Sequence, residues 1–415
     1  MKVLWFEVTT PSRYDVNSGV RAGWQDSLER IIRTIPDIEL TVSFVASSPN
    51  MTEKCIEGVK YVPMNLKFSF WDKIENKYSW SAYIRELDKQ MKGVVSASNP
   101  DIIHVFGTEW LCGRIAMYTS IPVVIHIMGA IIPYNNALYP PGFSFKDIFE
   151  SIPIWKPITI INRCLFEFKK KNWAKQEEEV WNCVKYYMGR TSWDKALSHI
   201  LHPNRVYYHV DEALRTSFFN SSICWSVDNV SEKVKLITVG NSSFWKGPDM
   251  VLKTARILSH YGIDYEWNFV GAFDGNIKKM IEKKIGITYE ECHVNICGNV
   301  NAEKLTSMLC ESTIYVHTAY VENSPNSICE AQYLGLPVIS TNVGGISTLV
   351  GDKKSGVLVP ANDPWQMADA IVSLSTEKDT IVKYSQNGRR IAIKRHSDEN
   401  IKEQLLSCYN AILQL

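Results

Sequence analysis

The chain has 415 residues, 45% hydrophobic and 21% charged, with a formal charge of +1, and that length favours two domains over a single core. The near-neutral balance gives no global reason to expect a nucleic-acid partner, and no apolar run reaches the roughly 18 residues that a membrane span requires. The ten cysteines include no C-x-x-C pair, and Lys2 and Glu7 bracket only four residues where a secretory signal would be apolar, so a cytoplasmic, reducing setting with free thiols is expected.

Lys2–Val8 reads as a first buried strand, followed by a loop carrying Gly19 and Gly23. The helix Trp24–Ile35 comes next, with Leu28, Ile31 and Ile32 at helical spacing. Leu40–Ala46 and Val59–Pro63 are strands, and Trp80–Ser98 is an amphipathic helix stopped by Asn99-Pro100. Ile102–Gly107 and Pro122–Gly129 are apolar strands ending in glycine, with a helix expected over Trp110–Tyr118 between them. Repeated strand–glycine–helix units predict an α/β fold with doubly wound parallel sheets whose strand ends carry the function.

Pro140–Trp181 breaks that rhythm. Between Lys156 and Lys175 lie six Lys/Arg against one acid, Glu167, interleaved with Phe166, Phe168 and Trp173. The apolar set Ile161, Cys164, Leu165 and Phe168 shares one helical face. Two readings stay open: a helix packing that stripe on the domain, or an interfacial surface over 155–175 for anionic lipid or a lipid-linked acceptor.

Strand Tyr186–Gly189, helix Trp193–Ile200 and strand Arg205–Val210 close a first domain, residues 1–216. Polar, aperiodic 217–233 is the expected linker. A second domain, 234–395, opens with strand Val234–Gly240 and helix Met250–Tyr261. Strand Glu266–Gly271, helix Asn276–Ile285, strand His293–Cys297 and helix Ala302–Leu309 follow. Cys292-His293 with Cys297 suggests a strand edge with buried thiols rather than a metal site, because no second ligand pair follows. Strands Thr313–His317 and Pro337–Ser340 flank a loop and helix, ending at Gly344-Gly345. After Gly356–Pro360 come helices Trp365–Leu374, Thr380–Ile391 and Glu399–Leu415, the last expected to pack back on the first domain.

Two stretches could do chemistry. Gly240–Gly247 (GNSSFWKG) is a strand-to-helix turn whose backbone N–H groups can face an anion while Lys246 adds a full charge. It is not the ATP phosphate loop, since G-x-x-x-x-G-K-[ST] is absent. Glu322 and Glu330 sit eight positions apart across a loop-to-helix junction, with Pro325 near the first helical turn. The blander alternatives are a surface lysine and a polar loop.

Together, Gly240…Lys246-Gly247, Glu322-x7-Glu330, the following GLPVI and the glycine pair resemble the donor domain of family-four (group 1) retaining glycosyltransferases. The likeness is strongest from Val234 to Pro360. GRTSWD (Gly189–Asp194) and WKG (Trp245–Gly247) further resemble a bacterial polysaccharide-assembly branch. The resemblance implies the GT-B fold, two Rossmann-like domains facing across a cleft, with acceptor on the first and nucleotide-sugar on the second. It implies that Glu322 touches hydroxyls of the sugar, and that the loop Asn323, Ser324, Pro325 and Asn326 holds it against the phosphates. Glu330 is expected to accept from the ribose hydroxyls, and Lys246 to contact the diphosphate beside Gly240 and Asn241. Gly271 and the Gly298–Val300 turn, through Asn299 and Val300, should line the base pocket, and Gly19 and Gly23 should let backbone approach the diphosphate.

Three positions depart from the family pattern. Asn241 stands where an arginine usually follows the first glycine, so charge neutralisation falls on Lys246 and a further group, Arg21 or Arg190. Met128 stands where a histidine usually precedes Gly129. His126, two residues earlier on the same strand face, is the candidate to replace it, against the alternative of a buried core histidine. Thr348 replaces a common acid. No Asp-x-Asp occurs in the chain, so no metal and no cofactor are expected. The implied activity is retaining transfer from a UDP- or GDP-sugar to a glycan or lipid-linked glycan in surface polysaccharide assembly. The alternatives are a same-fold sugar-nucleotide 2-epimerase or phosphorylase, or a catalytically silent nucleotide-sugar-binding scaffold.

Overall fold

The computed structural model describes residues 1–15, 23–152, 155–229 and 233–414. They form two compact units: Met1–Ile132 with Ile161–Arg215 and His396–Leu415, and Pro133–Ile160 with Thr216–Arg395. Both are parallel-sheet α/β structures.

The first unit holds β1 (Lys2–Glu7), β2 (Glu39–Val45), β3 (Lys54–Ile56), β4 (Val59–Met64), β5 (Ile102–Phe106), β6 (Val123–His126), β7 (Tyr186–Gly189) and β8 (Val206–His209). Their order in the sheet is β3-β4-β2-β1-β5-β6-β7-β8. All pairs are parallel except the short edge strand β3, which runs antiparallel to β4. Helices cover both faces, which is why the strands read as continuous apolar runs instead of alternating. Successive residues feed opposite cores: Val3 and Trp5 lie in one cluster, Leu4 and Phe6 in the other.

The last helix, Asp398–Leu413, belongs to this unit. Its buried stripe Ile401, Leu405, Cys408, Tyr409 and Ile412 joins the core cluster of β1 and helix Trp24–Ile32. The Tyr409 phenol accepts from Trp5 Nε1 at 3.0 Å and hydrogen-bonds His104 Nδ1 at 2.7 Å. Burying each large apolar side chain of that stripe contributes about 1.5–3 kcal/mol.

The second unit holds β9 (Val234–Val239), β10 (Tyr265–Val270), β11 (Val294–Gly298), β12 (Ile314–His317), β13 (Val338–Thr341) and β14 (Val357–Val359). All are parallel, in the order β11-β10-β9-β12-β13-β14. The chain winds outward from β9 in one direction, then returns to pair β12 on its other side. The crevice outside the carboxyl ends of β9 and β12 is therefore the switch point where such sheets bind ligands.

Residues 133–160 run between β6 and β7 in sequence yet fold with this second unit. Phe143 and Tyr139 pack on Phe244 with ring centroids 5.5 and 6.2 Å apart. Asp147 pairs with Lys284, whose ammonium also lies 4.9 Å from the Phe143 ring centroid. Trp225 is buried here too, its Nε1 donating to Ser312 O at 2.9 Å.

Four local features differ from the sequence reading. Helix Phe70–Tyr78 and strand β3 carried no buried apolar run to reveal them. Over Trp110–Tyr118 the helix is a short 3-10 turn, Cys112–Met117, where Gly113 lies so close to Val180 and Ile125 that a Cβ would clash. The basic-aromatic segment forms the first part of helix Pro157–Cys183, and its stripe faces outward: Ile158 is 73%, Ile161 56% and Phe168 65% exposed. No helix among the described residues is long and apolar enough to cross a membrane.

Candidate functional site

After β9 the chain turns through a single 3-10 turn, Phe244–Lys246, into helix Pro248–Tyr261. Pro248 at the first helical position suits that start, since its missing N–H would be unpaired there anyway. Gly247 joins turn and helix at φ +71°, and a Cβ on it would lie 1.9 Å from Thr318 O. That approach knits the turn to the loop after β12. Thr318 Oγ1 donates to Lys246 O at 3.0 Å, and Tyr320 N–H donates to Trp245 O at 2.7 Å. The Tyr320 phenol also donates to Asp249 Oδ2 at 2.8 Å.

The same loop presents Glu322. Its carbonyl accepts from Gly345 N–H at 3.0 Å, and a Cβ on Gly344 would lie 1.8 Å from that oxygen. The glycine pair thus pins the Glu322 backbone, because only residues without a side chain allow the two loops to come so near.

These constraints bring two side chains together at the switch point. Lys246 Nζ is ion-paired to Glu322 Oε2, with the side chains 25% and 9% exposed. Tyr134, from the 133–160 stretch, donates to Glu322 Oε1 at 3.4 Å and packs edge-on against Trp245. Burial alone would raise the Glu322 carboxyl. Lys246, His317 and Tyr134 outweigh it and hold the carboxyl below its ordinary value, so it is ionised at neutral pH.

Glu330 lies 1% exposed in helix Asn326–Leu334, which Pro325 precedes. The intervening Asn323 and Ser324 are buried, and Asn326 Oδ1 is a buried acceptor lacking a hydrogen-bond partner. The packed loop thus carries Glu322, and Glu330 sits in the helix that follows it. Both act on the buried Tyr315 phenol of β12.

Along the carboxyl ends of β9, β10 and β11 the glycines form a ledge. Gly240 N–H donates to Val270 O and Gly271 N–H to Gly298 O, both at 2.9 Å. Asn299, exposed, and Val300, half-buried, continue from it. Asn241 uses its own side chain locally: Ser243 N–H donates to Asn241 Oδ1 at 2.9 Å, shaping the turn.

The other sequence-nominated residues lie in the first unit. His126 is fully buried, stacked on His104 and Phe106 and edge-on to Trp24. Burial, with the Arg190 charge, pushes its pKa down to about 3. These are the surroundings of a core histidine. Arg190 is 3% exposed, its guanidinium 5.0 Å from the Trp24 ring centroid and its Nη2 donating to Met128 O at 3.3 Å. Gly19 and Arg21 lie outside the described residues.

Sequence reasoning missed Tyr134 and His317. Nothing in the order of residues ties 133–160 to the second sheet. His317 carried a faint signal: it lies two residues after Tyr315, on the same face of an otherwise apolar strand.

Residues 224–391 match the family model described as glycosyl transferases group 1. Over 177 residues the chain is 26% identical to alpha-D-kanosaminyltransferase of Streptomyces kanamyceticus, covering 43% of this chain and 45% of the relative. It is 24% identical over 189 residues to the putative colanic acid biosynthesis glycosyltransferase WcaL of Salmonella typhimurium, again 43% and 45%. The chain thus spans less than half the length of the relatives it matches. Among solved structures, Anabaena HepE in complex with UDP-glucose superposes with TM-score 0.68 at 14% identity, over 99% of this chain and 100% of that one. That likeness identifies the fold as GT-B.

Proposed function

We propose, for a chain whose residues 224–391 match the group 1 glycosyl transferases, that it moves a sugar from a UDP- or GDP-linked sugar to a glycan or lipid-linked glycan acceptor. Transfer retains the anomeric configuration and needs no metal ion. The observation that carries the reading is the Lys246–Glu322 pair beside the Gly240–Gly247 turn, at the switch point of the second sheet.

In this reading Lys246 and the turn's backbone N–H groups stabilise the diphosphate as charge builds on it. One such electrostatic contribution is worth about 2.7–4 kcal/mol of barrier. Glu322, acceptor-only when ionised, takes hydroxyls of the sugar, and buried Glu330 takes the ribose hydroxyls. The pair is divided between sugar and ribose, so neither carboxylate works as the acid–base partner of the other, unlike the two acids of a glycosidase. The acceptor attacks from the leaving-group side, and the departing phosphate takes its proton. His126, enclosed in the core, is given no chemical step. A UDP-sugar is favoured by the UDP-glucose complex of HepE, and polysaccharide assembly by the name of the WcaL relative.

The outward stripe Ile158, Ile161 and Phe168, flanked by the exposed Lys156 and Lys175, supports peripheral contact with an anionic membrane from the cytoplasmic side. Incubation with UDP- and GDP-sugars, with and without acceptor glycans, tests the activity. Acceptor-dependent nucleotide release is expected. Acceptor-independent isomer formation would indicate an epimerase, and binding without turnover a scaffold.

A further inference from the structure

His317, at the end of β12, is 2% exposed, and its two ring nitrogens meet different surroundings. Nδ1 lies 3.4 Å from the Tyr315 phenol oxygen, and the two rings stack with centroids 6.2 Å apart. Nε2 faces an ionised carboxylate oxygen, which repels a bare lone pair, so the imidazole proton sits on Nε2 and the Tyr315 O–H donates to Nδ1. Nε2 has no hydrogen-bond partner and faces Glu322 Oε2 at 3.9 Å. A buried N–H without an acceptor is costly and uncommon in native proteins, so its presence beside a functional carboxylate calls for a reason.

The reason lies in what already holds that oxygen: Glu322 Oε2 accepts from Lys246. We propose that His317 is a positioning residue for Glu322, whose Nε2–H takes over Oε2 when an anionic diphosphate draws Lys246 away. The inference rests on Lys246 contacting the diphosphate and Glu322 the sugar. Closing 3.9 Å to hydrogen-bond distance needs a movement of about 1 Å, within the reach of a carboxylate rotation. Without the second hydrogen bond, a carboxylate that loses its cation turns away from the sugar hydroxyls. The charged groups acting on the ring are Glu322 and Lys246. Burial lowers the imidazole pKa to about 4, with Glu322 opposing and Lys246 adding to the effect. The ring is therefore neutral at working pH, and it holds the carboxylate without cancelling the charge that binds hydroxyls.

Two measurements test this on the full chain. The first needs no turnover: ¹⁵N-detected imidazole NMR of His317. The Nε2–H tautomer is expected in wild type, and Lys246→Met raises the His317 pKa by about one pH unit, because the opposing cation is gone and Glu322 becomes its partner. Adding Glu322→Gln to that variant removes the rise. An Nδ1–H tautomer, or an unmoved pKa in Lys246→Met, overturns the proposal.

The second compares His317→Leu with His317→Gln, whose amide N–H reaches the Nε2 position. In the leucine variant kcat for nucleotide-sugar turnover falls about 10- to 100-fold with KM within about threefold, as for a misplaced group. The acid limb of its pH profile moves upward, because Glu322 has lost a donor to its charged form. Glutamine restores both, and thermal melts check folding. A leucine variant with wild-type rate and limb, or equal losses in both variants, overturns the proposal. If Glu322→Gln and Lys246→Ala also turn over normally, the reading of the site itself has failed, and the NMR arm still decides the His317 contact.

Discussion

Lys246 and Glu322 lie 76 positions apart in sequence and meet as an ion pair at the carboxyl ends of neighbouring strands β9 and β12. Each is fixed by a glycine that admits another backbone: Gly247 against Thr318, Gly344 against Glu322. The pair is a charged contact set into a rigid frame, and its chemistry follows from which partner a ligand displaces.

Glu322→Gln should abolish transfer while leaving a folded protein. If Glu322 accepts the sugar hydroxyls as proposed, loss of its charge should lower kcat by at least about 100-fold. Nucleotide-release assays measure it, and circular-dichroism melts confirm folding. A wild-type rate would remove Glu322 from the site.

Lys246→Ala should abolish transfer and also destabilise the second unit, by about 1–3 kcal/mol, since it leaves a 9%-exposed carboxylate without its cation. Adding Glu322→Gln to Lys246→Ala should recover part of that loss. A denaturant double-mutant cycle reads the coupling, and strict additivity would mean that the pair is not coupled in solution.

His126 predicts acid sensitivity of the first unit. Its folded pKa, about 3, lies below the ordinary 6.5, so the unfolded chain binds the proton more readily. The stability from keeping this ring neutral is full above pH 6.5 and declines as pH falls from there toward 3. At pH 5 the loss is about 2 kcal/mol. Urea unfolding at pH 7 and pH 5 checks it, and His126→Phe should reduce the difference by about that amount, leaving the part due to His104, which burial likewise keeps neutral.

In the proposed reading Lys246 and the turn amides carry the diphosphate charge, so transfer should survive EDTA. Assays with and without chelator decide it. Complete loss that Mg²⁺ restores would require a metal-bound diphosphate instead.

Ile161→Ser with Phe168→Ser should weaken binding to phosphatidylserine-containing vesicles about tenfold or more, each apolar side chain contributing about 1.5–3 kcal/mol when it leaves water. Vesicle flotation measures it. No flotation of wild type would remove the membrane contact.

Much of the fold was legible in the residues because parallel strands covered on both faces are apolar throughout. Lys2–Glu7, Ile102–Phe106 and Val234–Val239 announce themselves in this way. Helix Phe70–Tyr78 does not, since none of its residues is buried. Its one local signal is the capping box of Ser69 with Asp72.

The candidate site's motif can be read along the chain: a lysine after a glycine turn, two glutamates at fixed spacing, and glycines where backbones touch. Those are local requirements of turn geometry and charge, written in adjacent residues. The remainder came from how distant segments pack. That packing placed His126 in a core, bound Asn241 into its own turn, and folded residues 133–160 with the second sheet so that Tyr134 reaches Glu322. It also set the unpartnered Nε2 of His317 beside that carboxylate. Such outcomes depend on packing between segments far apart in the chain, where burial and charge are settled by neighbours that no local pattern names.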